Sequence, residues 1–303
     1  MRKLRFLVSL ITTENDYQLE QANSAQEAAR RLNIDATIVY ADNDAITQST
    51  QILRAIQAQE KDRVDAIVFE PLGGTALPQV AKAAVEAKVG WAVLNREAPY
   101  IADLRVTSQV PIFGVSADQV EVGRIAARQC AALLPAGGAV LYIQGPSQSP
   151  VAKEREAGLR ETLRPNIHTT VLRGQWTEES AMRAVRSWLS LSTSRKAGID
   201  LVLSQNDAMA IGARKVFQDL PDEAERDRWL ATPFLGCDGV PKTGQSWVRS
   251  GLLTATIFTP PSAGQAIEML VDALEHKKTF PERTFTAARS IPALTELGRV
   301  KAS

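Results

Sequence analysis

Cysteine and histidine are scarce in this 303-residue chain: Cys130, Cys237, His168 and His276 are the full complement. One cysteine falls inside a helical pattern and the other at a strand end, a spacing that suits neither a metal site nor a redox pair, so both read as buried thiols. Two histidines near a strand start and a helix end supply neither a multi-histidine metal centre nor a histidine-based triad, and both read as surface residues. An excess of one charge is missing too. Lys plus Arg number 35 against 34 Asp plus Glu, leaving no basic surplus to neutralise phosphates, so nucleic acid is not an expected partner. No segment approaches the roughly 20-residue apolar run of a spanning helix, and direct membrane insertion is not expected. Met1-Arg2-Lys3 before Leu4–Ile11 has the outline of a secretory signal, but Arg5 interrupts the apolar run and no small-residue cleavage site follows. The segment therefore reads as a first strand.

The motifs of nucleotide enzymes are also absent. There is no G-x-x-x-x-G-K-[ST] loop and no G-x-G-x-x-G fingerprint, which excludes the usual phosphate cradles. The nearest approach to a nucleophile elbow, Gly145-Pro146-Ser147-Gln148-Ser149, fails at its last position. No cofactor and no metal site are expected. Carboxylates at strand ends, Glu70, Asp207 and Asp238, fit hydrogen-bonding roles that need no tuned acidity.

What the chain does have is alternation. With 45% apolar and 23% charged residues it has the make-up of a globular protein, and its length suits two domains of roughly 100–200 residues. Strand patterns at Leu4–Ile11, Ala36–Tyr40, Val64–Phe69 and Trp91–Leu94 alternate with helical patterns near Asp16–Leu32, Ile46–Glu60 and Thr75–Lys88. After Val115 the pattern restarts with a helix near Gln119–Leu134. Strands follow at Ala139–Ile143, Thr169–Leu172, Leu201–Leu203 and Pro233–Leu235, separated by helices near Val151–Leu163, Thr177–Leu191 and Ala208–Asp219. Thr254–Phe258 and Ser262–Lys277 add one more strand and helix, and the tail from Arg283 has weak periodicity. Repeated βαβ units predict an α/β protein with parallel sheets. No Gly/Ser linker separates the halves, so the lobes are expected to share several chain crossings.

Open α/β sheets bind ligands at the carboxyl ends of their strands. Here those ends carry Asn15 and Tyr17, Glu70, Asn95 and Arg96, Trp176, Asn206, Asp238 and Thr259. Amides, carboxylates and the planar arginine fork serve vicinal hydroxyls, and aromatic faces suit the C–H faces of a sugar ring. Plainer roles stand beside these. Asn206 and Asp207 also suit the cap of a helix starting at Ala208, and Arg155 also suits an exposed place in the run Lys153-Glu154-Arg155-Glu156. Tyr17 is open between stacking on a ligand and packing under the first helix. Glu70 is read as rimming the site, and Trp176, after Gly174-Gln175, as lying on an exposed loop.

In this order and spacing the chain resembles the type I periplasmic sugar-binding proteins, in particular the ribose-binding group, which share their fold with the ligand domain of the lactose-repressor family. The resemblance rests on Asn95-Arg96, Ser116-Ala117-Asp118, Ala152-x-x-Arg155-x-x-Gly158, Gln205-Asn206-Asp207-x-Met209-Ala210, Gly236-x-Asp238-Gly239 and Thr254-x-Thr256-Ile257. It implies two doubly wound parallel-sheet lobes, 1–117 with 260–288 and 118–259 with 289–303, that close on a ligand about hinge crossings. It further implies a monomeric, non-enzymatic solute-binding protein of the periplasm or cell envelope, which presents a sugar or sugar-like polyol to the membrane permease of an ABC transporter. A cytoplasmic ligand-sensing regulator of the same fold without a DNA-binding head is the alternative. Asn15, Tyr17, Asn95 and Arg96 would contact the ligand from one lobe, and Arg155, Trp176, Asn206, Asp238 and Thr259 from the other and its edge. Three positions depart from the pattern. Asn95 stands where many members carry Asp, Thr259 where an amide often sits, and the first-loop aromatic pair is reduced to Tyr17 followed by Gln18.

Overall fold

The computed structural model describes residues 2–72, 77–191, 194 and 198–297. Met1, the expected helix start at Thr75 and the final residues 298–303 of the expected second lobe lie outside the described residues. Two compact units are present, Met1–Ala117 with Pro261–Thr286 and Asp118–Pro260 with Ala287–Ser303, so the chain passes between them after Ala117, Pro260 and Thr286.

The first unit begins with β1 (Arg5–Leu10), α1 (Asp16–Arg31), β2 (Asp35–Tyr40), α2 (Ala45–Gln57), β3 (Ala66–Phe69), α3 (Pro78–Glu86), β4 (Gly90–Leu94), α4 (Tyr100–Thr107) and β5 (Ile112–Ala117). The second holds α5 (Gln119–Leu133), β6 (Gly138–Gln144), α6 (Pro150–Thr162), β7 (Ile167–Arg173), α7 (Glu178–Leu189), β8 (Leu201–Ser204), α8 (Asp207–Gln218), α9 (Glu223–Leu230), β9 (Phe234–Leu235), α10 (Gly244–Arg249) and β10 (Thr256–Phe258). The chain then returns to the first unit for α11 (Ala263–His276) and β11 (Arg283–Thr286), and ends in the second with β12 (Arg289–Ile291) and α12 (Leu294–Leu297).

In the first unit six parallel strands run in the order β11-β5-β4-β3-β1-β2. The near-continuous apolar runs of its central strands make sense once side chains are sorted by face, because neighbours along a strand point to opposite sides. Phe6, Val8, Leu10, Val68 and Leu94 pack on one face with the alanines of α1 and with Ile267 and Leu270 of α11. Leu7, Ile67, Phe69, Trp91 and Val93 fill the other with Ile52 and Ile56 of α2 and Val80 of α3. The sheet is covered on both sides, as a doubly wound sheet requires.

The second unit has four parallel strands in the order β7-β6-β8-β9, and a separate antiparallel pair, β10 with β12. One face packs Leu141, Ile143 and Val202 against α7 and α8, where Trp229 stacks on Phe217 with ring centroids 4.1 Å apart. On α5 and α6, glycine decides how closely two helix backbones meet. A Cβ on Gly158 would lie 1.9 Å from the Val120 carbonyl oxygen, and one on Gly123 would lie 2.1 Å from that of Arg155.

Most elements absent from the sequence reading lack a clear apolar stripe; the exception is β5, which is buried along its whole length. Helix α4 buries only Ile101, and α9, charged around its circumference, only Trp229. Strands β11 and β12 have four and three residues, too few to establish a period-2 pattern. His168 and His276 are exposed, and both cysteines are buried free thiols. Burial pushes each thiol up to about 12, so both stay protonated and unreactive at neutral pH.

Candidate ligand-binding site

The carboxyl-end loops of the first unit's sheet are shaped by side chains bonded to backbone. Asn15 caps α1, its Oδ1 accepting the N–H groups of Tyr17 at 2.9 Å and Gln18 at 3.2 Å. This sets the start of the helix and leaves Tyr17 half-buried beside the cap. Gln18 turns back to the strand: its Oε1 accepts the Ile11 N–H at 2.9 Å while its Nε2 donates to Glu70 Oε2 at 2.8 Å. Asn95 donates its amide to the same oxygen at 3.0 Å. Arg96 follows it, half-buried.

Glu70 therefore does not rim the site. It is 6% exposed, sits behind Gln18 and Asn95, and has its backbone carbonyl held by Gln48 Nε2 at 2.8 Å. A buried carboxylate needs donors, and the two amides are among those that Glu70 has.

In the second unit the centre is Arg155. The close backbone approach at Gly158 brings α6 against α5, which places the Arg155 Nε 2.8 Å from Gln119 Oε1. One terminal nitrogen donates to the Gln205 carbonyl oxygen, and the other lies 3.6 Å from Asp238 Oδ1. The guanidinium also stands 5.8 Å from the centroid of Trp176. Arg155 is thus buried, with a contact at each guanidinium nitrogen, so the exposed-helix reading does not hold. Trp176 is half-buried, resting on the α7–α8 core cluster and against Gly145, where an added Cβ would lie 2.3 Å from the indole. The exposed-loop reading is corrected accordingly.

Asn206 caps α8 by accepting the Met209 N–H at 2.9 Å, and its Nδ2 donates to the Trp176 carbonyl at 2.9 Å. Capping and loop fixation thus share one side chain. Thr259 is buried, with its hydroxyl 3.4 Å from the Asp238 carbonyl oxygen. Beneath Asp238 lies Asp207, which accepts the Thr256 hydroxyl at 2.6 Å and the Gly239 N–H at 2.8 Å. A Cβ on Gly236 or Gly244 would strike this carboxyl, at 2.1 Å and 2.0 Å. Burial, and secondarily the charge of Asp238, pushes the pKa of Asp207 well above the ordinary carboxylate range.

Three of the expected ligand residues share an unusual backbone. Asn95, Trp176 and Asp238 have φ of 54°, 65° and 102°, each just past the end of a strand. Non-glycine residues pay a conformational cost there, and such strain concentrates where a side chain must be aimed. Sequence reading missed the residues that do the aiming: Gln18, Gln119 and Gln205. Gln205 Nε2 donates to the Tyr142 hydroxyl and the Ala152 carbonyl at 2.6 Å and 2.9 Å, and its Oε1 accepts the Gly145 N–H at 2.8 Å. A signal existed for Gln18 and Gln21, which lie on the same helix face as Ala22, Ala25 and Ala29, an apolar stripe where an exposed amide would be out of place.

Among the described residues no group of three or more His, Cys, Asp or Glu is placed to hold a metal ion, and no helix is long and apolar enough to cross a membrane. Two α/β units, each with a parallel sheet and a polar strand-end face, define the class as a type I solute-binding fold. The chain belongs to the periplasmic binding protein domain family, whose model matches residues 6–278. It is similar to the ribose import binding protein of Salmonella typhimurium, 23% identical over 280 residues that cover 92% of this chain and 87% of the relative. It is likewise similar to the galactofuranose-binding protein of Escherichia coli, 25% identical over 282 residues, with 91% and 83% covered. In fold it matches a periplasmic solute-binding protein of an Actinobacillus succinogenes ABC transporter with bound D-allose, at a TM-score of 0.82 and 20% identity, covering 97% of this chain and 99% of the other. Relatives and fold alike are those of substrate-binding proteins.

Proposed function

We propose that this protein is the solute-binding component of an ABC-type importer in the periplasm or cell envelope, that it captures a sugar or polyol, and that it performs no chemistry on it. In this reading the two units are lobes that close on the ligand about the crossings after Ala117, Pro260 and Thr286. Asn15, Tyr17, Asn95 and Arg96 reach the ligand from the first, with Glu70 behind them. Arg155, Trp176, Asn206, Asp238 and Thr259 reach it from the second. The observation that carries the reading is the set of left-handed residues Asn95, Trp176 and Asp238 at three strand ends, which aim an amide, an indole and a carboxylate at the place where such sheets take ligands. Amides and a carboxylate beside a guanidinium match a neutral molecule rich in hydroxyls, and Tyr17 and Trp176 offer apolar faces for its C–H surface. Closure draws on the difference in ligand affinity between open and closed states.

Thermal unfolding against D-ribose, D-allose, galactofuranosides and myo-inositol tests this. A ligand at about 100 times its dissociation constant adds roughly 2.7 kcal/mol of stability. The expected result is a selective upward shift in wild type that disappears in Asn206→Ala. A flat panel overturns the sugar reading.

A further inference from the structure

The first unit contains a buried chain of hydrogen bonds whose direction is fixed from both ends. At one end the Ile11 N–H takes Gln18 Oε1, so the Gln18 NH₂ must face Glu70. At the other the Ala263 N–H takes Gln21 Oε1 at 2.8 Å, so the Gln21 NH₂ must face Ser262 Oγ, 3.1 Å away. The serine, already accepting, donates onward to Asn95 Oδ1 at 3.4 Å. The carboxylate orients Asn95: its NH₂ donates to Glu70 Oε2, which leaves its Oδ1 to accept the Ser262 hydroxyl. Backbone N–H groups cannot reverse, so they determine the flips of Gln18 and Gln21, and the carboxylate determines that of Asn95.

Glu70 is where the two arms of this chain meet, since Oε2 receives both amides. An acceptor-only carboxylate satisfies both donors, whereas an amide at this position would present NH₂ to NH₂ in one of its two orientations. We propose that Glu70 is a specificity-determining positioning residue: it locks Asn95 so that the second N–H of the Asn95 amide, and not an acceptor carboxylate, is what the end of β4 offers a ligand. The matching ligand group is an oxygen that accepts, such as a ring oxygen or the lone pair of a hydroxyl. The carboxylate then sits one strand away from the contacting side chain, on the residue behind it. The inference rests on the sugar-binding reading for its ligand, though the network itself does not.

The experiment has two arms. The first is unfolding of the ligand-free protein at pH 7 for wild type, Asn95→Asp, Glu70→Gln and the double variant. Asn95→Asp sets two carboxylates against each other and is expected to lower Tm by several degrees. Adding Glu70→Gln restores one carboxylate facing one amide and is expected to recover at least half of that loss. Additive losses in the double variant overturn the proposal. The second arm is calorimetry with D-allose and myo-inositol. Glu70→Gln and Asn95→Ala are each expected to weaken binding at least tenfold, and the combination to bind no worse than Asn95→Ala alone, because Glu70 acts through Asn95. A further tenfold loss in the combination overturns the positioning role. If wild type binds neither compound nor any other sugar tested, the functional reading fails and the specificity role with it, while the first arm still reports on the network.

Discussion

The two units build their polar faces by different physics. In the first, amides and one carboxylate form a directional chain tied to backbone N–H groups at both ends. In the second, a buried guanidinium meets an aspartate, and a second, more deeply buried aspartate underlies the loop that carries it. A network of that first kind is specified by the direction of its hydrogen bonds. The second kind depends on charge, so it responds to pH and fails badly when one partner is removed. The same fold thus offers one face fixed by hydrogen-bond direction and another fixed by electrostatic balance.

Four substitutions test this contrast. Gly158→Ala should have the largest effect, because the new methyl group meets the Val120 carbonyl at 1.9 Å and must push α6 from α5, carrying Arg155 with it. A loss of about 3 kcal/mol in urea-induced unfolding is expected, and an unchanged midpoint would show that the helix pair does not set the position of Arg155. Arg155→Met comes next, at about 2–3 kcal/mol, since it leaves Asp238 and the Gln205 carbonyl without their partner. An equal loss for Arg155→Met in an Asp238→Asn background would refute the electrostatic account.

Asp207→Asn probes pH. Its carboxyl is raised in the folded state, so the folded protein holds this proton more tightly than the unfolded chain. Its contribution is fully present below the unfolded value and is lost as pH rises through the folded one. Wild type should therefore gain stability relative to Asp207→Asn as pH falls from 8 toward 5, by at most about 1.4 kcal/mol per pH unit for one proton. Identical pH profiles for the two proteins would remove Asp207 from the electrostatic balance. The smallest effect is expected for Asn15→Ala, a lost helix cap of about 1 kcal/mol, read as a Tm shift that does not change with salt.

Much of the fold was legible because its strands are apolar and its helices amphipathic. Even the motif Ala152-x-x-Arg155-x-x-Gly158 now has a physical meaning, with glycine at the helix contact and arginine one turn earlier facing Gln119. Helices α4 and α9 escaped because each buries a single side chain. In the site, asparagine and aspartate at strand ends stand out, whereas glutamine inside a helix does not. Gln18 and Gln119 act through their direction on a helix and Gln205 from the bend after β8, and such directions become visible only when the neighbours in space are known. Glu70 was misjudged for the same reason: its two amide partners are 52 and 25 residues away in sequence.

The return of the chain to the first unit at α11 and β11 has a consequence for synthesis. Ile267 and Leu270 of α11 cover a sheet whose strands β1 to β5 end at Ala117, and β11 supplies its edge beside β5. As the chain emerges from the ribosome, that apolar face waits uncovered while more than a hundred further residues are made. The four-stranded sheet of the second unit is complete by Leu235. The main sheet begun first is therefore finished last, and the nascent chain has most need of a chaperone or holding factor during that interval.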